Sequence, residues 1–215
     1  MIPLLDPVEV RVLGCMIEKE NTTPEYYPLT LNALVNACNQ KSNRDPVVSY
    51  DDETVQEALD RLRAKRLITV LTGGGNRVPK YGHRLPDHIN LGRREIALLC
   101  ELMLRGPQTV GELRDRAGRM HKFSDADEVE SCIQGMAARE QPLTTKLPRQ
   151  PGMKEHRYAH LLCGADAIAD MTAEPARNFG GSDRVTALES EVVELKQRVA
   201  ALEEDLRRFK GQFGS

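Results

Sequence analysis

The stretch SYDDETVQEALDRLRAKRLITV, Ser49 to Val70, opens on three consecutive carboxylates and closes on four cations before running into β-branched residues. Val55, Leu59 and Leu62 recur at helical spacing, so a helix with one buried stripe is predicted, followed by a strand. With that stripe inward, Glu53, Glu57, Asp60 and Ala64 form the outward centre. Asp51, Asp52 and Glu53 oppose the positive end of the helix dipole, at about 0.3–1 kcal/mol each. Arg61, Arg63, Lys65 and Arg66 do the converse at the other end.

The same order of residues returns downstream. DADEVESCIQGMAARE, from Asp125 to Glu140, turns Val129, Ile133 and Met136 inward and leaves Asp127, Ser131, Gln134 and Ala138 outward. Each of these segments is preceded by two others. DPVEVRVLGCMIEKE (Val10, Leu13, Ile17) and LGRREIALLCELMLRG (Ile96, Leu99, Leu102, Met103) have amphipathic helical spacing. LTLNALVNACNQ and QTVGELRDRAGR follow them, with Thr30 and Thr109 as N-caps and Glu112 completing a capping box with Thr109.

Each third helix then passes into a hairpin, LITVLTGGGNRVPKYGHRL in the first copy and PLTTKLPRQPGMKEHRYAHLL in the second. Gly73 to Asn76 lies between strands, so its glycines serve a turn and not a phosphate loop, which needs a following helix. Three helices and a two-stranded wing, occurring twice, give a mainly α fold with small β wings, in the α+β class. The expected layout is two tandem winged-helix domains, 1–90 and 91–163, then a linker at 164–183 and a C-terminal coiled-coil helix at 184–213.

The tail carries the clearest periodicity. Val185, Val192, Val199, Leu206 and Phe213 occupy heptad position a, and Leu188, Leu195, Leu202 and Phe209 occupy d. Val at a with Leu at d favours a parallel two-stranded coil. Its cross-strand charge pairs would be Arg184–Glu189, Glu191–Lys196, Arg198–Glu203 and Asp205–Lys210, all attractive. A homodimer is therefore expected; the alternative is one amphipathic helix packing on its own chain.

Net charge of −2 over 215 residues gives no global attraction to polyanions. The opening MIPLLDPVEVRVLG lacks a basic start and an apolar run of signal length, and no window reaches the ~18 apolar residues of a membrane span. Cys15, Cys38, Cys100, Cys132 and Cys163 form no CxxC motif, which suits buried free thiols in a cytoplasmic setting.

The string EKENTTPEYYPLTLNALVNACNQKSNRDPV, within the first copy, resembles the YceH-like family of uncharacterised bacterial proteins. The resemblance implies two winged helices over residues 1 to 165 and a bacterial cytoplasmic setting; it implies no activity.

No carboxylate pair or Ser/His/Asp set stands out, so no catalytic residues and no cofactor are expected. His156, His160 and Cys163 in HRYAHLLC have spacings that suit a metal, but no fourth ligand accompanies them, and no metal is expected.

Candidate nucleic-acid contacts are Lys41, Asn43 and Arg44 in the turn between the second and third helices, with Asn39 and Gln40 beside them. Arg116, Arg119 and Lys122 lie on or just after the second helix of copy two. Arg77, Lys80, His83 and Arg84 lie in the first wing, and Lys146, Arg149, Lys154, His156 and Arg157 in the second. Asn and Ser also cap helices, and edge cations also block strand pairing, so each set has a structural reading too.

Neither third helix presents a cation at its leading outward end, and residues 91–162 hold only 12 Lys+Arg against 10 Asp+Glu. Two functions follow as alternatives. One is a dimeric factor touching double-stranded DNA through wings and turn; the other is an adaptor whose winged helices bind a protein partner.

Overall fold

The computed structural model describes residues 3–73, 76–150 and 152–165. The chain runs α1 (Pro7–Thr22), a 3-10 turn at Pro24–Tyr26, α2 (Leu31–Cys38), α3 (Asp52–Ala64), β1 (Ile68–Gly73) and β2 (Asn76–His83). It continues with α4 (Leu85–His88), α5 (Arg93–Arg105), α6 (Val110–Ala117), α7 (Ala126–Ala137), β3 (Thr144–Lys146) and β4 (Tyr158–His160). The fold is mixed, mainly helical with two small antiparallel hairpins.

Local chemistry sets the boundaries. Asp6 caps α1 by accepting from Glu9 N at 2.8 Å, while Glu9 Oε2 accepts from Asp6 N at 2.7 Å, and Pro7 stands at the first helical position. Thr30 and Thr109 cap α2 and α6 as expected, and Glu112 closes the capping box with Thr109. Asp51 caps α3 by accepting from Thr54 N at 2.9 Å.

At its other end α3 stops on Arg66, whose φ of 61° is left-handed. Arg66 N donates to Arg63 O and Leu67 N to Leu62 O, both at 2.9 Å, the hydrogen-bond pair that closes a Schellman turn. Leu62 and Leu67 are fully buried beneath it.

Both third helices bury the expected stripes, Val55, Leu59 and Leu62 in α3 and Val129, Ile133 and Met136 in α7. Glu53, Glu57, Asp60 and Ala64 are exposed, as are Asp127, Ser131, Gln134 and Ala138.

The repeat reaches finer detail than helix order. Leu29, just before α2, bridges Tyr81 of β2, and Gln108, just before α6, bridges Tyr158 of β4. Tyr81 Oη then donates to Gln56 Oε1 on α3 at 3.2 Å, and Tyr158 Oη to Glu130 Oε1 on α7 at 2.9 Å. In each copy one tyrosine ties the second strand to the third helix. The first hairpin pairs Ile68 with His83 and Val70 with Tyr81; the second has only three residues per strand, Thr144 pairing with His160.

One expectation needs revision. The α1 stretch from Glu9 to Glu18 is buried on every side, not along a stripe, and so is α5 from Ala97 to Leu104. These two first helices pack on one another, so each covers the face its partner's copy leaves open. Gly14 makes the approach possible, since a Cβ there would meet Leu104 Cδ2 at 3.0 Å and Met103 Cβ at 3.2 Å. Both copies belong to one compact unit with a continuous apolar core. Of the five cysteines, Cys15, Cys38 and Cys100 are buried, while Cys132 and Cys163 are only partly so.

Candidate functional site at the joint between the copies

The segment after α2 is pinned along its length. Asn39 exchanges two 2.7 Å hydrogen bonds with the Tyr50 backbone, and Arg11 donates to Pro46 O at 2.7 Å and to Cys38 O at 3.4 Å. Asp45 N donates to Leu104 O at 3.0 Å, which fastens the turn to the end of α5.

Within this turn Arg44 is 3% exposed. Its Nε donates to Ala37 O at 3.0 Å, and Nη1 donates to Asn43 O at 2.9 Å and Glu18 Oε1 at 3.2 Å. Nη2 donates to Glu18 Oε2 at 2.5 Å and to Gln40 Oε1 at 3.1 Å. A guanidinium has five N–H groups, and here all five have acceptors inside the protein. Arg44 is thus unavailable to a phosphate in this conformation.

Asn43, in the left-handed region at φ 53°, sends Nδ2 to Glu18 Oε1 at 3.3 Å and to Glu101 Oε1 at 3.2 Å. From the second copy Arg119 brings Nη2 to the same two oxygens, at 2.9 and 3.1 Å. Three residues expected to meet nucleic acid, Asn43, Arg44 and Arg119, are thereby brought together, around two buried carboxylates from the first helix of each copy.

The electrostatics follow from this enclosure. Burial alone would raise the Glu18 carboxyl, but the Arg44 hydrogen bonds and charge outweigh it, with help from Arg119, and hold it down at about 2. For Arg44 burial acts to lower the guanidinium, and the pair with Glu18 more than reverses that. Glu101 is fully buried, and its Oε2 has no hydrogen-bond partner among the described residues.

The remaining candidates are dispersed. Arg84 is exposed and pairs with Asp87 at 2.7 Å. Arg116 donates to Gln108 Oε1 at 2.7 Å and pairs with Glu112 at 3.2 Å. Arg77 falls on β2. Lys41 and Lys122 are exposed and Lys80 is half-buried; none makes a side-chain hydrogen bond or ion pair among the described residues. Lys146 lies over the Tyr158 ring at 5.8 Å.

The histidines serve the scaffold. His83 Nδ1 accepts from Leu85 N at 3.3 Å, so its Nε2 carries the proton toward Glu20 Oε2 at 2.7 Å. His156 Nε2 accepts from Arg149 at 3.0 Å, which leaves Nδ1 to donate to Leu147 O. His160 Nδ1 accepts from Leu162 N at 3.3 Å. Among the described residues no group of three His, Cys, Asp or Glu is placed to hold a metal, and no helix is long and apolar enough to cross a membrane.

Sequence reasoning missed Glu18 and Glu101. The available signal was an acid embedded in an apolar run, as in LLCELML, where no solvent face exists for it. The dimerisation positions Val185, Leu188, Val192, Leu195, Val199, Leu202, Leu206 and Phe209 lie outside the described residues.

Residues 5–153 match the family described as "Protein of unknown function, DUF480". The chain belongs to that family of uncharacterised bacterial proteins, in agreement with the resemblance carried by its first copy. A UPF0502 protein of Pelobacter propionicus is 51% identical over 216 residues, covering 98% of each chain. One from Geobacter sulfurreducens is 49% identical over 98% of each chain. One from Opitutus terrae is 54% identical, over 91% of this chain and 84% of that protein.

Proposed function

We propose that this protein is a non-enzymatic adaptor, built of two winged-helix modules at 1–90 and 91–163, that binds a protein partner and dimerises through its heptad tail. The observation that carries this reading is where the charge lies on the would-be DNA-facing elements. The exposed faces of α3 and α7 hold Glu53, Glu57, Asp60 and Asp127 with no outward cation at the leading end. The turn cation that would have compensated, Arg44, is consumed on Glu18. Acids set against a phosphate backbone without cations nearby oppose docking. The DNA-associated reading keeps Lys41, Lys80 and Lys122 in its support, whose side chains have no partner among the described residues.

Fluorescence anisotropy of labelled duplex DNA with the purified full chain tests the choice. The adaptor reading expects no measurable binding at about 50 mM salt. Binding that falls by orders of magnitude between about 50 and 200 mM salt would favour DNA instead.

A further inference from the structure

The joint between the copies carries more positive than negative charge. Glu18 and Glu101 are its two buried acids, and Asp45 lies half-buried in the same turn. Against them stand Arg44 and Arg119, which balance the two buried acids, and then two further cations. Lys19 Nζ lies 3.7 Å from Glu18 Oε2 and 3.3 Å from Gln40 Oε1, the same oxygen that accepts from Arg44. Lys41 follows Gln40 directly, is exposed, and makes no side-chain hydrogen bond or ion pair among the described residues.

The surplus also faces outward. Arg119 commits only Nη2 to the buried acids; its side chain is 47% exposed, and Nε and Nη1 have no acceptor among the described residues. These cations form a roof beside the buried acids: Arg119 and Lys19 approach them directly, and Lys41 is next in the chain to the Gln40 that Lys19 and Arg44 share. Because Lys19 and Lys41 come from the first copy and Arg119 from the second, this roof exists only when the two copies are packed together.

We propose that this roof is a docking site for an acidic segment of a protein partner, held by Arg119, Lys41 and Lys19. The inference rests on the adaptor reading and names the chemistry of its partner. An aspartate or glutamate side chain meets Arg119 in the forked geometry that a guanidinium offers, while Lys41 supplies an unpaired point charge and Lys19 a partly shared one. A nucleic-acid backbone would match the same charge, but the exposed faces of α3 and α7 carry Glu53, Glu57, Asp60 and Asp127, which oppose a polyanion.

The test uses the full chain and a fluorescein-labelled decaglutamate peptide, with duplex DNA in parallel. The expected result is salt-sensitive peptide binding that Lys41→Glu weakens at least fivefold and Lys41→Arg restores. The thermal midpoint should be unchanged in both variants, since the Lys41 side chain has no partner among the described residues. Absence of peptide binding at low salt, or equal binding by Lys41→Glu, overturns this site; with DNA also unbound, the adaptor reading itself stands. Duplex DNA bound by the wild type and lost in Lys41→Glu overturns both.

Discussion

The guanidinium of Arg119 lies 2.9 Å from Oε1 of Glu18, a residue 101 positions earlier on a different copy of the repeat. That one contact changes the meaning of the basic turn and of the helix end in copy two. Cations that look, in sequence, like the nucleic-acid face of a helix-turn-helix are here the clasp between its two halves. A buried carboxylate is costly unless paired and hydrogen-bonded, and Glu18 is relieved by Arg44, Arg119 and Asn43 at once.

Packing of the two first helices depends on a missing side chain. Gly14→Ala gains helix propensity, about 1 kcal/mol, but puts a methyl 3.2 Å from Met103 Cβ, which the α5 backbone holds in place. Net destabilisation is expected in urea unfolding, on the order of 1–3 kcal/mol, as for overpacking in cores. Gly135, on α7, has nothing within 4 Å of its added methyl, so Gly135→Ala should stabilise by about 0.5–1 kcal/mol. Equal shifts in the two variants would contradict the close approach of α1 and α5.

The end of α3 offers a stabilising change. Arg66 holds a left-handed conformation that glycine adopts without penalty, and its exposed side chain has no partner among the described residues. Arg66→Gly should raise stability by roughly 0.5–1 kcal/mol, read as a higher thermal midpoint. A lower midpoint would mean that the Schellman turn does not form.

Acid should weaken the fold in two separable windows. His160 is pushed down by burial to about 4 from an ordinary 6.5, so the unfolded chain binds its proton first. Its contribution is complete above pH 6.5 and is lost as pH falls toward 4. Glu18, held at about 2 against an ordinary 4.5, contributes fully above pH 4.5 and loses that contribution as pH falls toward 2. His160→Gln should flatten the stability profile in the upper window alone, in urea titrations taken from pH 7 to 3.

The tail supplies a prediction independent of the joint. If Val185 through Phe209 form a parallel two-stranded coil, Leu195→Arg places a charge at a central d position and should halve the mass seen by sedimentation equilibrium. An unchanged monomeric mass in the wild type would refute the dimer.

How much of this was legible depends on the kind of signal. Helices and caps could be read because Thr30 and Thr109 act within three residues of themselves, and the inward stripes of α3 and α7 follow one period. The burial of α1 on all sides could not, because its second covering comes from α5, some eighty residues away, and an amphipathic pattern assumes a solvent face. The same limit hid the site. Lys41, Asn43 and Arg44 have the residue types of a phosphate contact, and only the long-range positions of Glu18 and Glu101 reveal that two of the three point inward. The tyrosine that ties hairpin to third helix in each copy was equally invisible, since its partners lie 25 and 28 residues away.

Arg44 serves Glu18 rather than an external ligand, and a double-mutant cycle on the full chain tests this pairing. Arg44→Met and Glu18→Leu each strand a buried charge, so each alone should cost about 3–5 kcal/mol in urea unfolding. The double variant should cost far less than their sum, with a coupling of about 2 kcal/mol or more. Losses that add to within about 0.5 kcal/mol would contradict the clasp and return Arg44 to the surface as a candidate ligand contact.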